Sequence, residues 1–568
     1  MRPLDWLVMV GSLASIIAYG LYRGRGSNTV DRYLLAGRTM PWYAMALSIM
    51  ATQASAITFI STTGQSYVDG MRFLQIYFGM PLAMVAISAT AVPIFHRARV
   101  YTAYEYLENR FDAKTRALAS IIFLMQRGLS VAVAMAAPVI VLAIILGWPE
   151  RLTTALIGVT VILYTVTGGI RTVTWTDVQQ MIIIMFGLMV ALVTIIVLLP
   201  PSVSLWDAMR LAGSAGRLNP VTTHFDWNDR YNLWSGLIGG MFLALSYFGC
   251  DQSQVQRYLT GKSIAESKLS LLFTAVAKIP MQFFILFIGA MLFVFYIFVP
   301  PPLLFKHTEY DRIRVESPQR YAPIAAHYQD AFARRKQAAL DIVAARHAGD
   351  AHLQDDALAR YRGGQRDLDA ARREGAALVE ATGGEKGFQD TNYIFLSFVT
   401  NYLPAGIVGL VIAVILAAAM SSSSGEINSL ATVSVIDLYK RHFHKSGTDH
   451  HYLNASRVAT VFWGAYAVLF AGYARNLGSL IEVVNRFGSL FYGSLLGVFV
   501  LAFFFKRVGG TGAFCGMIAG EAAIFAAFLF TGISFLWYNV IGCLVVIGTG
   551  VAVSSARPAP KTGQLTKT

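Results

Sequence analysis

Charge is scarce in this chain. Asp, Glu, Lys and Arg make up 14% of its 568 residues, where soluble domains carry about a quarter. That shortage excludes an ordinary water-facing surface. Cysteine is scarcer still: Cys250, Cys515 and Cys543 all fall in apolar stretches, with neither a disulfide framework nor a zinc spacing. Phosphate-cradling glycine loops and nucleophile elbows are also missing, which leaves an enzyme little to stand on. No cleavable signal peptide is expected, because the first apolar run has the length of a membrane span and lacks a small-residue cleavage pattern.

Apolar sequence is what remains, at 55% of residues with a mean hydropathy of +0.53. Runs approaching the roughly 20 residues needed to cross a bilayer recur along the chain. Spans are expected near 4–22, 40–63, 72–95, 117–146, 152–167, 177–200, 232–250, 270–299, 405–432, 456–473, 479–505, 511–530 and 533–553, about 13 in all. The net charge of +14 collects in the connecting loops. Arg23 to Arg38, Arg97 to Arg116, Arg257 to Lys268, Lys440 to Lys445, Lys506-Arg507 and the tail from Arg557 to Lys567 all fall on one side under strict alternation. This pattern predicts a multi-pass plasma-membrane protein, in the inner membrane if the cell has two. Its N-terminus lies outside and its C-terminus in the cytoplasm. Topology thus accounts for the basic balance, and no nucleic-acid partner is expected.

Residues 303–390 are different material. From Lys306 to Asp390 there are 14 Lys or Arg and 14 Asp or Glu. Tracts such as Ala331 to Ala345 and Asp355 to Leu378 favour helix, and Gly363-Gly364 and Gly383-Gly384 punctuate them. A small helical hairpin outside the membrane, on the outer face, is expected. It is either a packing insertion or a lid or docking element whose protein partner is unknown.

The most informative stretch is Ala417-Ala-Ala-Met-Ser421-Ser422-Ser423-Ser424-Gly425, which continues an apolar run from Ile407. Hydroxyls are costly there unless partnered. On a helix the carbonyl of Ala418 points toward the side chains of Ser421 and Ser422, and three converging oxygens suit a hard cation. The alternative stays open at this point: such serines also bond back to the preceding turn and let helices pack closely.

Four further patterns agree with one another. They are Tyr104-Glu-Tyr-Leu-Glu-Asn-Arg110-Phe111, Gly168-Gly169-Ile-Arg171-Thr-Val-Thr-Trp175-Thr176-Asp177-Val-Gln179, Asp251-Gln-Ser-Gln254-Val-Gln-Arg257-Tyr258, and Ala418 to Ser424 followed by Ile427-Asn-Ser-Leu-Ala-Thr432. Together, and in this order, they resemble the sodium:solute symporter family over about residues 4–555, apart from the insertion.

The resemblance implies an all-α transporter with two inverted five-helix units and binding sites near the midplane. The units are expected at about 40–200 and 232–505, after a first span and loop (1–39) and before two further spans (506–555) and a tail (556–568). The first helix of each unit is expected to be broken. Gly239-Gly240 and Gly249 suit a break in the second unit. The implied sodium ligands are the carbonyls of Ala51, Ala54 and Ala418 and the hydroxyls of Ser421 and Ser422. A second sodium, as in some members, implicates Asp177 and Ser424, but Gly425 stands where those members have another serine. For the solute, Tyr247 and Phe248 match an aromatic inner gate. Thr58, Tyr77 and Ala244 depart from the polar side chains of sugar-type members, with Gln53 and Gln75 as replacement donors. Lys278 matches a substrate-contacting lysine. Arg127, deep in its span, is a functional candidate by position alone, and its planar fork suits a carboxylate.

The function implied is sodium-coupled import of a small organic solute (a sugar, a sialic acid or another organic acid) by alternating access in a lipid bilayer. A transporter-like sensor or scaffold acting through the insertion is the rival reading.

Overall fold

Inside a bilayer the backbone finds no water, so each apolar run must satisfy its own N–H and C=O groups by coiling. The computed structural model describes residues 2–25, 29–53, 58–146, 149–384, 386–474 and 480–556, and these are helical almost throughout. Ten helical stretches are long and apolar enough to cross a membrane, and the shorter apolar helices Leu152–Leu163 and Ser235–Gly249 add to them. Of the expected span at 40–63, the helix Trp42–Gln53 and the residues from Thr58 onward are described, while 54–57 lie outside the described residues, which accounts for the remaining difference in number.

Helix α1 (Pro3–Gly24) packs against two helices of the body. Helices α2 (Trp42–Gln53), α3 (Thr63–Asp69) and α4 (Met80–Ala89) follow, then the short α5 (Ala103–Arg110). Helix α6 (Ala113–Leu146) leads to α7 (Glu150–Val197), which turns at Gly169. Gly169 has φ +60, and a Cβ there would lie 2.5 Å from the Tyr33 carbonyl, so only glycine suits this turn. Helix α8 (Leu205–Ser214) lies between the units. The second unit holds α9 (Gly240–Gly249), α10 (Gln252–Leu259), α11 (Ile264–Phe298), then the insertion, then α15 (Ile407–Val433), α16 (Asp449–Ala474) and α17 (Leu480–Phe504). Helices α18 (Gly510–Phe530) and α19 (Leu536–Ala556) close the chain and pack on α17.

The second unit's first helix breaks at Cys250-Asp251, next to Gly249 rather than at Gly239-Gly240. Asp251 is extended, and its side chain caps α10 by accepting from the Ser253 N–H. The chain then continues as helix, so Arg257 does not sit in a solvent loop as its charge suggested. Every residue of α10 is buried, and Arg257 is 1% exposed. The charge rule misplaced it because its partner, Asp177, lies 80 residues away in sequence. For the break expected in the first unit, residues 54–57 lie outside the described residues. The turn after it, Thr58–Thr62, is a wide π-type turn, and so is Ser235–Gly239 in the second unit. Such turns cluster at functional sites.

The insertion consists of α12 (His307–Glu316) and two long helices, α13 (Pro318–His347) and α14 (Ala351–Ala381). Near its root it has an apolar core of its own, with Leu303, Tyr328, Leu368 and Leu378. Farther out, Ala338, Ile342, Val343 and Tyr361 join the main core, so the hairpin lies along the body rather than standing away from it. The buried Arg335 fixes it, donating to the Tyr296 carbonyl at the end of α11 (2.6 Å) and to Gln365 (2.9 Å). At the tip, Arg346 reaches Asp207 on α8 at 3.0 Å.

Candidate functional site

Where α2, α4, α6, α9, α15 and α17 meet, the body encloses a cavity of about 120 Å³. Of the residues marked from sequence, Gln53, Thr58, Tyr77, Arg127, Ala244, Tyr247, Phe248 and Ser422 line it. Tyr247 and Phe248 pack edge to face with ring centres 4.9 Å apart, and Tyr492 adds a third ring 6.0 Å from Tyr247. Thr58 donates back to the Gln53 carbonyl at 2.5 Å, so its hydroxyl hydrogen is engaged.

Two marked residues lie off the wall. Gln75 is fully buried; its amide donates to the Tyr231 carbonyl (2.8 Å) and accepts from the Thr222 N–H (2.9 Å). It pins the chain ahead of Ser235–Gly239, and Ile76 and Tyr77 face the cavity instead. Lys278 stands behind Tyr77, its ammonium 5.1 Å from the ring centre and without a hydrogen-bond partner.

Arg127 is on the wall but not free. Nη1 donates to Glu426 Oε1 at 3.0 Å, and Nη2 donates to Asp251 and to the Tyr492 hydroxyl (2.8 Å). The guanidinium is therefore shared between two carboxylates from α15 and from the helix break. Asp251 is saturated: Oδ1 accepts from the Ser253 N–H (2.8 Å) and hydroxyl (2.7 Å), and Oδ2 also accepts from Tyr492 (3.0 Å). Glu426 is not: its Oε2 is buried with no partner. Sequence reasoning did not single out Glu426, Asp251 or Tyr492. A carboxylate in an apolar run is itself a signal, and Glu426 is the lone acid between Ile407 and Val433.

The serine stretch lies at the cavity edge. Ala418 is buried, and among the described residues the buried hydroxyls of Ser421, Ser422 and Ser423 have no partner, whereas Ser424 donates back to the Ser421 carbonyl at 2.9 Å. Helix α15 packs against α2, which ends in the buried Ala51 and in Thr52 and Gln53, two more wall residues. Ala54 lies outside the described residues. Orphaned hydroxyls facing the end of a helix are the donor set that a hard cation requires.

Asp177 is fully buried, away from the cavity wall, and its Oδ2 accepts from Ser48 (2.5 Å) and from Arg257 (2.7 Å). The glycine at 425 explains the fit. A Cβ there would collide with Arg257 Nη2. The guanidinium thus occupies the space that a serine would take.

A second, wetter chamber of about 530 Å³ lies between the insertion and the body. The insertion contributes Asp369, Arg372, Arg373 and Asp390, and the body contributes Asp69, Arg217, Arg230 and Glu482. Arg372 pairs with Asp390 at 3.0 Å and Arg230 with Glu482 at 2.7 Å. Helix α17 separates the two chambers: Glu482 faces this one, while Ile481, Val484 and Asn485 face the inner cavity.

The sodium:solute symporter family model matches residues 33–308 and 376–520. The chain belongs to the sodium:solute symporter family. Its relatives include a sodium/sialic acid symporter of Proteus mirabilis (strain HI4320), 27% identical over 96% of this chain and 94% of the relative. A sodium/glucose cotransporter of Vibrio parahaemolyticus is 24% identical over 98% and 92%. Among solved structures, a substrate-bound, outward-open Na+-coupled sialic acid symporter superposes with a TM-score of 0.75 at 25% identity, covering 98% of each chain. This sodium:solute symporter therefore has the inverted-repeat fold, and its activity is sodium-coupled solute symport. Most of the hairpin lies between the two stretches that the family model matches.

Proposed function

We propose that sodium binds between α2 and α15, held by the carbonyls of Ala51, Ala54 and Ala418 and the hydroxyls of Ser421 and Ser422. The observation that supports this most is the pair of buried, partnerless hydroxyls on Ser421 and Ser422. Ser422 also lines the solute cavity, so ion and solute are neighbours. An ion that ties α2 to α15 completes one wall of that cavity. Solute binding in turn favours the arrangement that holds the ion, so each raises the affinity of the other. The bound pair is then carried across by alternating access of the two five-helix units, residues 40–200 and 232–505. The cargo is a small organic solute; relatives carry sialic acid and glucose.

One sodium per cycle fits the arrangement around Asp177. Its carboxylate is already neutralised by Arg257, and Ser424 is turned toward its own helix. The basic loops support an outward N-terminus, an outward insertion and a cytoplasmic C-terminus.

The test is Ser421→Ala and Ser422→Ala in proteoliposomes. Each is expected to raise the sodium concentration for half-maximal uptake at least tenfold while the protein still folds. Unchanged sodium dependence in both would remove the assignment.

A further inference from the structure

The cavity's own polar atoms describe the solute. The site holds one guanidinium, Arg127, against two carboxylates, Asp251 and Glu426, a surplus of one negative charge when both acids are ionised. All of Asp251's acceptor sites are used, whereas Glu426 Oε2 has no donor. Glu426 is 7% exposed and its side chain lines the cavity. A buried carboxylate oxygen with nothing to accept from is costly. A second such oxygen on the wall is Gln53 Oε1, also buried and partnerless. Both accept and neither can donate. Around them stand the rings of Tyr77, Tyr247 and Phe248; Tyr77 already has the Lys278 ammonium and Tyr247 the Arg127 guanidinium against it, which leaves Phe248 as the ring without a protein cation among the described residues. Arg127, the group that suggested an acidic solute, is already spent on protein carboxylates.

We infer that the solute of this symporter carries a protonated amine, bound by Glu426 Oε2 and Gln53 Oε1 against the aromatic wall. The inference rests on the symport reading above and names its substrate class. The ammonium supplies the donors that both oxygens lack. Size narrows the class. A cavity near 150 Å³ holds a benzene-sized guest, so one of about 120 Å³ suits a solute of about five to seven heavy atoms, such as a small amino acid. N-acetylneuraminic acid is about three times that size and carries no free amine.

Matched pairs test this on the full-length purified protein, by thermal stability in sodium and in potassium. Alanine is set against lactate, glycine against glycolate, and 4-aminobutyrate against 4-hydroxybutyrate, with glucose and N-acetylneuraminic acid alongside. At least one amine is expected to stabilise the protein in sodium while its hydroxy partner does not. Glu426→Gln, and Glu426→Asp as a variant that keeps the charge but withdraws the oxygen, are expected to weaken that amine at least tenfold. Stabilisation by sodium alone is expected to stay as in wild type. Three outcomes overturn the inference: a hydroxy acid, sugar or sialic acid binding as well as the amines; no amine of this size binding in sodium; or Glu426→Gln abolishing stabilisation by sodium alone, which would make the carboxylate an ion ligand. Loss of sodium stabilisation in the wild type would instead fail the symport reading, and the amine pairs would still be compared in potassium.

Discussion

Two buried arginines sit on opposite terms with their carboxylates. Arg257 has one acid, Asp177, and the pair is electrically closed. Arg127 has two, Asp251 and Glu426, and its cluster is left with an unmatched oxygen on the cavity wall. Both guanidiniums are desolvated to the same degree, at 2% and 1% exposure. Among the described residues each arrangement keeps one partnerless carboxylate oxygen, Asp177 Oδ1 and Glu426 Oε2, so neither burial nor filled acceptor sites separate the two. What differs is the count of charges and the access: Glu426 lines the inner cavity, whereas Asp177 is off its wall.

The largest effect is expected from breaking the open cluster at its centre. Arg127→Gln leaves two buried carboxylates without their cation, at a cost of about 3–5 kcal/mol, read as a fall in melting temperature and loss of uptake. Glu426→Gln added to it is expected to recover part of that stability. If the single variant melts like wild type, the cluster is not the unit described here. Next comes the closed pair. Gly425→Ala pushes a methyl group against Arg257, and overpacking of this kind costs about 1–3 kcal/mol. Under the one-sodium proposal, the sodium dependence of uptake is expected to stay first order; a Hill coefficient above one would contradict it.

A third arginine cluster, reached by water, sharpens the contrast. Arg116 pairs with Glu108 (2.8 Å) and Asp437 (2.7 Å), and Arg441 with Glu108 (2.5 Å). Burial raises the Glu108 carboxyl, but hydrogen bonds and charge from Arg441 and Arg116 outweigh it and hold the group below its ordinary value. A depressed carboxylate contributes stability above its unfolded value, and that contribution fades as pH falls through the folded one, on the acid side of the ordinary carboxylate range. Glu108→Gln is expected to flatten the acid limb of the melting profile by about 1 kcal/mol or less, since the group is partly solvated. The smallest effect belongs to the insertion's tip: Arg346→Ala is expected to cost under about 1 kcal/mol, seen as faster proteolysis of the hairpin with uptake unchanged.

The fold was legible because a bilayer forces apolar runs into helices, and the serine stretch stood out because hydroxyls are anomalous there. Arg127 was visible for the same reason. Its partners were not, because Asp251 reaches it only through a helix break and Glu426 only through the approach of α15, and spacing along the chain encodes neither. Gln75 and Tyr77 looked interchangeable as wall residues. They sit on an eight-residue 3-10 helix, Gly70–Tyr77, where three residues make a turn and positions two apart face different sides. Lys278 was read for depth in its span, which says nothing about whether an aromatic ring stands in front of it.

The chamber under the hairpin bears on kinetics. Its wall carries Arg217, Arg230, Arg372 and Arg373 against Asp69, Asp369, Asp390 and Glu482. Four charges of each sign, two pairs of them in direct contact, produce little net field in the water beyond. A solute or ion passing through a chamber of this kind is not steered by its charge, so encounter by that route would proceed at the diffusive rate. Discrimination is then a matter of dwell time in the inner cavity, and added inert salt leaves the capture rate where it was.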